Sequence, residues 1–302
     1  MKTFVGITGT TCVGKSAVAV ELAKILHTEV VSADSMQIYK GMDIGTAKIT
    51  TEEMQGVKHH MLDIVCPNEP FSSFQYQQQA SRIIDKIALP IVVGGTGFYF
   101  DSLLYPPEFG EGDQLRRKEL QQILQTEGLP KLCEMLKAAD EYAYKTVDLS
   151  NPVRVVRALE IAEKGEKRAL GKGKTQPRYN CLLFVLQRER ASLYEMIDRR
   201  VDKMMENGLV DEVKQTVEKY GVCDTSAFAA IGYKEIVEFL QEKCTLEQAV
   251  DKIKLNTRHY AKRQITYFKK MDVCKFLDVE GQNSMQIAEK ILEEIKMQGV
   301  LC

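Results

Sequence analysis

The stretch Gly9-Thr10-Thr11-Cys12-Val13-Gly14-Lys15-Ser16 decides the fold. It satisfies G-x-x-x-x-G-K-[ST] at every fixed position, and its flanks agree with it. Lys2–Thr8 alternates and then runs apolar into Gly9, as a buried strand does. Lys15–Leu26 places Val18, Val20, Leu22, Ile25 and Leu26 at helical spacing. A strand, a glycine turn and a helix in that order point several backbone N–H groups and a helix N-terminus at one spot, which suits an anion. Lys15 adds a full charge and the Ser16 hydroxyl suits Mg²⁺. The loop implies a bound di- or triphosphate, without saying whether a phosphoryl group moves. No N-K-x-D guanine reader accompanies it.

Outward from the loop, short apolar strands alternate with helices: Glu29–Ser32, His60–Val65, a helix over Phe74–Ala88, then Pro90–Val93. This alternation predicts an α/β fold, a P-loop NTPase-like parallel sheet flanked by helices. Near Leu104 the pattern changes. Pro106-Pro107 and the Gly110/Gly112 pair break the chain, and two helices without strands follow at Leu115–Gln125 and Leu129–Ala138. Residues 105–148 are therefore expected to be a helical insertion domain, with residues 1–104 and 149–302 forming the catalytic core. A helix over Pro152–Glu163, a strand over Leu182–Leu186, helices around 191–206, 208–219, 231–241 and 245–270, a strand at Val273–Val279 and a helix at Met285–Met297 complete the expectation.

In a parallel sheet, ligands collect beyond the carboxyl ends of the strands. Asp34, just after the second strand, should share that rim with the phosphate loop. A carboxylate there either takes a proton, holds a metal, or simply caps a turn. Gly94-Gly95-Thr96-Gly97 makes a second glycine turn on the same rim, with Thr96 able to offer a hydroxyl.

The chain has 302 residues and a formal net charge of −1, which by itself does not suggest a polyanion partner. Its distribution does. Between Asp251 and Asp272 there is no acid but seven Lys or Arg, and Arg154 to Arg200 carries twelve Lys or Arg against six acids. Arg258, Lys262 and Lys269 fall within about 40° on one face at roughly 100° per residue. Eight cysteines contain no C-x-x-C pair, so no zinc site or disulfide framework is expected. No leader segment or membrane-length apolar run is seen, and a cytoplasmic location is expected.

Taken together these motifs resemble the bacterial tRNA dimethylallyltransferases, also called tRNA isopentenyltransferases, the IPP transferase family. The likeness runs from Gly9 to about Phe268. After the phosphate loop come Asp34-Ser35-Met36-Gln37-Ile38-Tyr39, His59-His60-Met61-Leu62-Asp63, Gly94-Gly95-Thr96-Gly97 and Asn151-Pro152-Val153-Arg154-Val155-Val156-Arg157-Ala158-Leu159-Glu160. Gly208-Leu209-Val210-Asp211-Glu212, Ile231-Gly232-Tyr233-Lys234-Glu235 and Thr257-Arg258-His259-Tyr260-Ala261-Lys262-Arg263-Gln264-Ile265-Thr266 complete the order. The chain departs from the family at Thr10 and Cys12, usually Pro and Ala, and at Tyr267, usually Trp.

The resemblance implies transfer of a dimethylallyl group from dimethylallyl diphosphate to N6 of adenosine-37 beside the tRNA anticodon, with Mg²⁺ as cofactor and the protein a monomer. It implies that residues Gly9, Thr10, Thr11, Cys12, Val13, Gly14, Lys15 and Ser16 cradle the diphosphate and that Ser16 meets the metal. Asp34 is implied as general base, Thr96 as a contact to the target adenine and Arg200 as a ligand of the donor's phosphates. The implied tRNA contacts are Ser35, Met36 and Gln37, then Arg154, Val155, Val156, Arg157 and Ala158, then Ala229, Ala230, Ile231, Gly232, Tyr233 and Lys234. Arg258 and Lys262 on the basic helix and Lys118 in the insertion join them. The residues alone also admit a P-loop small-molecule kinase, which would release ADP without RNA, or an RNA-binding P-loop protein without turnover.

Overall fold

β1 (Thr3–Gly9) lies at the centre of a six-stranded sheet, and its position sets everything around it. A computed structural model of the protein describes residues 1–105, 113–164 and 176–300. The Pro106-Pro107 and Gly110/Gly112 break lies outside the described residues.

The chain divides into two compact units, Met1–Leu104 with Pro177–Cys302, and Tyr105–Gln176. In the first unit, β1 leads into α1 (Lys15–Leu26). β2 (Val30–Ser32), α2 (Thr51–Met54), β3 (His59–His60), α3 (Ser73–Ile84), β4 (Ile91–Val93) and α4 (Gly97–Leu104) follow. The second unit holds α5 (Gln114–Thr126), α6 (Gly128–Ala139), α7 (Glu141–Thr146) and α8 (Pro152–Glu163). The chain then returns to the first unit with β5 (Asn180–Gln187), α9 (Arg190–Glu206), α10 (Leu209–Tyr220), α11 (Tyr233–Leu240), α12 (Leu246–Phe268), β6 (Cys274–Asp278) and α13 (Ser284–Met297).

Strand order is β3-β2-β4-β1-β5-β6, and every pairing is parallel. Gly6 of β1 pairs with Val92 on one side and Leu183 on the other. A parallel sheet is covered on both faces, which is why its strands are apolar runs. On one face Val5 and Ile7 pack with Val18 and Leu22 of α1 and Ile287, Ile291 and Ile295 of α13. On the other, Phe4 meets Tyr179, and Phe100 of α4 meets Phe268 of α12 edge to face. Ile7, Leu22, Phe100 and Phe268 are fully buried, each stabilising the fold by about 1.5–3 kcal/mol relative to exposure.

The strand expected over His60–Val65 is only the pair His59–His60. Met61 and Asp63 both take left-handed backbone (φ 62° and 53°), which ends the strand's pairing with β2. Asp63 then ion-pairs at 2.6 Å with the buried ammonium of Lys48, which also reaches Asp43 and the Tyr39 carbonyl. The helices α2 and α7, of four and six residues, were too short to show a period in the sequence.

The helical unit is longer than the expected 105–148. α8 belongs with it rather than with the core, because Val155 and Leu159 share one apolar cluster with Leu120, Leu132 and Leu136. Polar contacts bind it there too. The Glu160 carboxylate is buried, receives two hydrogen bonds from Arg117 at 2.9 and 2.8 Å and a third from Arg157 at 3.2 Å. Glu163 holds Arg116 at 2.7 Å through both oxygens. An N-cap Asn151 followed by Pro152 announces a helix in either setting, so the sequence did not say which unit would claim it.

Removing the Glu160 carboxylate leaves two arginines that remain in contact with water, so the loss is that of a half-screened network. Glu160→Ala is expected to lower stability by about 1–2 kcal/mol, with faster amide hydrogen exchange in α5 and α8 and unchanged exchange in the central strands.

Candidate active site

The loop after β1 turns because its backbone takes left-handed values at Cys12 (φ 65°) and Gly14 (φ 94°). A Cβ on Gly9 would lie 2.2 Å from the Leu186 carbonyl oxygen of β5, so only glycine passes there. Gly14 is the N-cap of α1 and supplies no side-chain oxygen to the first N–H groups, which stay available for an anion. Thr11, Cys12, Gly14, Lys15 and Ser16 line a cleft of about 440 Å³. Gly9, Thr10 and Val13 lie behind them, buried, and shape the turn rather than face the cleft.

Lys15 Nζ donates to the Thr10 carbonyl at 2.7 Å, folded back on its own loop. Burial lowers its pKa to about 8; Asp34 opposes the shift and Arg200 adds to it. Arg200, from α9, reaches the loop from the other side, donating to Thr11 Oγ1 at 3.1 Å and to Cys12 Sγ at 3.5 Å. Arg199 and Lys203 line the same end of the cleft. This end is a concentration of positive charge with no carboxylate ion-paired to Lys15, Arg200 or Lys203 among the described residues, a surface that a diphosphate would neutralise.

Asp34 faces the same cleft. Its Oδ1 accepts from the N–H of Met36 at 2.9 Å and of Gln37 at 3.4 Å, so it does cap the turn that follows β2. The two sequence readings of this residue are thus compatible: one oxygen fixes the carboxylate and the second is left for a ligand. Thr96 is not among the cleft-lining residues. Its hydroxyl accepts from the Ser35 N–H at 3.0 Å and donates to Ser35 Oγ at 3.2 Å, tying the two turns together beside Asp34. Gln37 lines the cleft and donates to the carbonyls of Thr46 and Ala47 at 3.4 and 3.2 Å, while Met36 packs into an apolar cluster.

Two residues that carried no assigned role complete the wall, both on α12. Gln264 is buried and faces the cleft. Its Oε1 accepts the Thr11 N–H at 2.8 Å and its Nε2 donates to the Gly95 carbonyl at 3.0 Å, so one amide joins the phosphate loop to the second glycine turn. Tyr260 lies with its hydroxyl between the Thr96 and Gln264 side chains; burial, then the charge of Asp34, raises its pKa. His59 also lines the cleft, with Nδ1 on the Val57 carbonyl at 2.9 Å and its pKa lowered by burial. Both belong to the Thr257–Thr266 motif, and their spacing of one helical turn puts them on one face of α12.

The IPP transferase family profile matches residues 37–271, and an isopentenyl transferase profile matches residues 2–67. The chain is 45% identical to a tRNA dimethylallyltransferase of Caldanaerobacter subterraneus subsp. tengcongensis over 95% of both chains. Its structure resembles the full-length tRNA isopentenylpyrophosphate transferase of Bacillus halodurans, with TM-score 0.73, 39% identity and 99% and 98% of the two chains covered. It also resembles a eukaryotic dimethylallyltransferase acting on tRNA, with TM-score 0.83, 27% identity, and 99% of this chain against 80% of that one. The chain belongs to the IPP transferase family. These relatives do not favour the small-molecule kinase alternative.

For an IPP transferase, the residues expected on the RNA side fall into distinct settings. In the helical unit Lys118 and Arg154 are exposed, and Arg154 pairs with Asp148 at 3.2 Å. Val155, Val156 and Ala158 are buried in that unit's own core, and Arg157 grips Glu160; the sequence motif there is largely a packing motif. In the first unit Ala229 and Lys234 are exposed and Ile231 partly so, whereas Ala230, Gly232 and Tyr233 are buried. Tyr233 donates its hydroxyl to Glu212, whose carboxylate also collects the N–H groups of Asp43, Ile44 and Gly45 at 2.8, 2.7 and 3.0 Å. This clasp holds the segment that presents Thr46 and Ala47 to the cleft.

The basic helix is less basic in space than in sequence. Arg258 pairs with Asp198 and lies over the Tyr194 ring at 5.4 Å, Lys254 pairs with Asp202 at 2.5 Å, and Lys252 pairs with Glu238 at 2.6 Å. Arg258 thus joins α12 to α9. Lys262, Arg263, Lys269 and Lys270 remain exposed, with no carboxylate partner among the described residues.

Two expectations follow from this geometry. Diphosphate binding favours the charged form of Lys15, so diphosphate affinity holds below about pH 8 and falls about tenfold per pH unit above it; calorimetry of diphosphate binding should show proton uptake near that pH, and Lys15→Arg, always charged, should flatten the profile. Gln264→Met keeps the volume and loses both hydrogen bonds; turnover should fall by about 10- to 100-fold through misplacement of the loop, with a thermal midpoint only a few degrees lower.

Proposed function

We propose that the protein transfers the dimethylallyl group of dimethylallyl diphosphate to N6 of adenosine-37, next to the anticodon of a tRNA, and releases diphosphate. The observation that carries this reading is the shared cleft: a diphosphate cradle built from Lys15, Arg200 and the α1 N-terminus shares one cavity with the fixed carboxylate of Asp34. A phosphoryl-transfer enzyme would use such a cradle to activate phosphorus. Here the cradle serves to accept a leaving group.

The adenine must leave its stack to reach the cleft. Its N6 attacks C1 of the allylic group, the C1–O bond breaks, and the bonding pair departs with the diphosphate. Charge grows on the diphosphate as the bond lengthens, where Lys15, Arg200 and the loop N–H groups lower its energy. The exocyclic amine is barely basic, so its proton must leave as the N–C bond forms. Asp34 takes that proton on the oxygen that does not cap the turn. Thr96 acts through Ser35, keeping the carboxylate in place.

Mg²⁺ fits the donor set. Among the described residues no cluster of three His, Cys, Asp or Glu could hold a metal alone, and Mg²⁺ is commonly bound by one or two protein oxygens together with substrate phosphates and water. Ser16 would hold it, and bound there it would offset charge on the diphosphate. The tRNA would be met by the exposed cations Lys262, Lys234, Lys118 and Arg154. No described helix is long and apolar enough to cross a membrane.

Mass analysis of nucleosides after incubating tRNA with donor and Mg²⁺ tests the reading. The wild type should yield N6-dimethylallyl-adenosine. Asp34→Ala should lower turnover by about 10²- to 10⁴-fold with tRNA and donor binding nearly unchanged; full activity in that variant removes the base.

A further inference from the structure

α4 opens with three aromatic residues that meet different fates. Tyr99 is 4% exposed and Phe100 fully buried, while Phe98 is 68% exposed. A lone exposed ring is common, but this one is supported from below. The ring of Tyr267 lies 5.2 Å from it, centroid to centroid, at 62°. Tyr267 cannot withdraw. A Cβ on Gly97 would fall 2.2 Å from its Cδ1, so the ring rests directly on the glycine backbone, and its hydroxyl is bonded to Asp101. The consequence is a rigid, solvent-facing aromatic surface.

Its location follows from helix geometry. Tyr260, Gln264 and Tyr267 are spaced four and three residues apart, within about 60° on one face of α12. Tyr260 and Gln264 line the cleft, so the pair Phe98–Tyr267 continues the same stripe about 5 Å further along the axis. Two cations lie near it in the chain, Arg263 one turn before Tyr267 at the edge of the stripe and Lys270 in the turn that follows the helix, both exposed and neither paired with a carboxylate among the described residues.

We propose that Phe98, propped by Tyr267, is a stacking platform for an unpaired nucleobase of the RNA substrate, adjacent to the base that enters the cleft. The inference rests on the RNA-prenylating reading above. Every base has a π face, and an exposed ring with two cations near it in the chain matches a base and its phosphates. A protein partner fits less well, because one ring is far below the roughly 1,000 Å² that a specific protein interface needs.

The test compares wild type, Phe98→Ala, Phe98→Tyr and Phe98→Leu with an anticodon stem-loop RNA and dimethylallyl diphosphate. Because the ring is exposed, all four should fold alike. Phe98→Ala should weaken RNA binding by about 5- to 100-fold while kcat at saturating RNA and the KM for the donor stay within threefold. Tyr should restore binding and Leu should not. An abasic site at one nucleotide flanking the target adenosine should cost the wild type the same factor and cost Phe98→Ala nothing further. Unchanged RNA affinity in Phe98→Ala, equal rescue by Leu, or abasic costs that are the same in both proteins would overturn the platform. A change of oligomeric state on substitution, with RNA affinity intact, would assign the ring to a second copy instead. If the wild type binds RNA but prenylates none, the enzymatic reading fails while the binding comparison still decides the role of Phe98.

Discussion

The site depends on one constraint, the close approach of β1 to β5 where the chain leaves the sheet. Gly9 passes against the Leu186 carbonyl with no room for a side chain, and the turn that follows is left-handed at Cys12 and Gly14. That reversal aims the first N–H groups of α1 into the cleft. It occurs at the carboxyl edge of a wholly parallel sheet, so the turns after β2 and β4 arrive on the same side. Asp34 and Gly95 are at the site because strand direction brings them there.

Inward N–H groups and cations gathered at one place repel one another, and the molecule holds them together by tying them to neighbours. Gln264 takes the Thr11 N–H and gives its own to Gly95, Arg200 bonds Thr11 and Cys12, and Lys15 turns back on Thr10. From Gly95 the connection passes through Thr96 to Ser35, beside Asp34. The phosphate loop and the turn that carries Asp34 are therefore linked through Gln264, Gly95, Thr96 and Ser35, which fixes their relative positions. α12 supplies that link on one face and exposed cations on another.

Charge illustrates the difference between a string and a surface. The run from Lys252 to Lys270 contains no acid in line, but α9 and α11 bring Asp198, Asp202 and Glu238 against it. Three of the seven cations are taken up by bonding between helices. What stays free lies toward the C-terminal end of α12. The same reversal of meaning occurs in α8, where three residues of a motif expected on RNA are core of the helical unit.

By itself the sequence determined the phosphate loop, the parallel α/β class, and the limits of most helices, because these follow from periods and from glycine positions that act over a few residues. It also marked Asp34 and the second glycine turn, since strand ends in such a sheet share an edge. Only the tertiary structure decided that Gln264, 169 residues from Gly95 in the chain, spans two loops, that Thr96 bonds Ser35, that α8 joins the helical unit, and that Arg258 is paired while Phe98 is left exposed on Tyr267. Each of these is a contact between segments remote in sequence. A side chain's partner there depends on which helices pack together, and no local pattern of residue types carries that information.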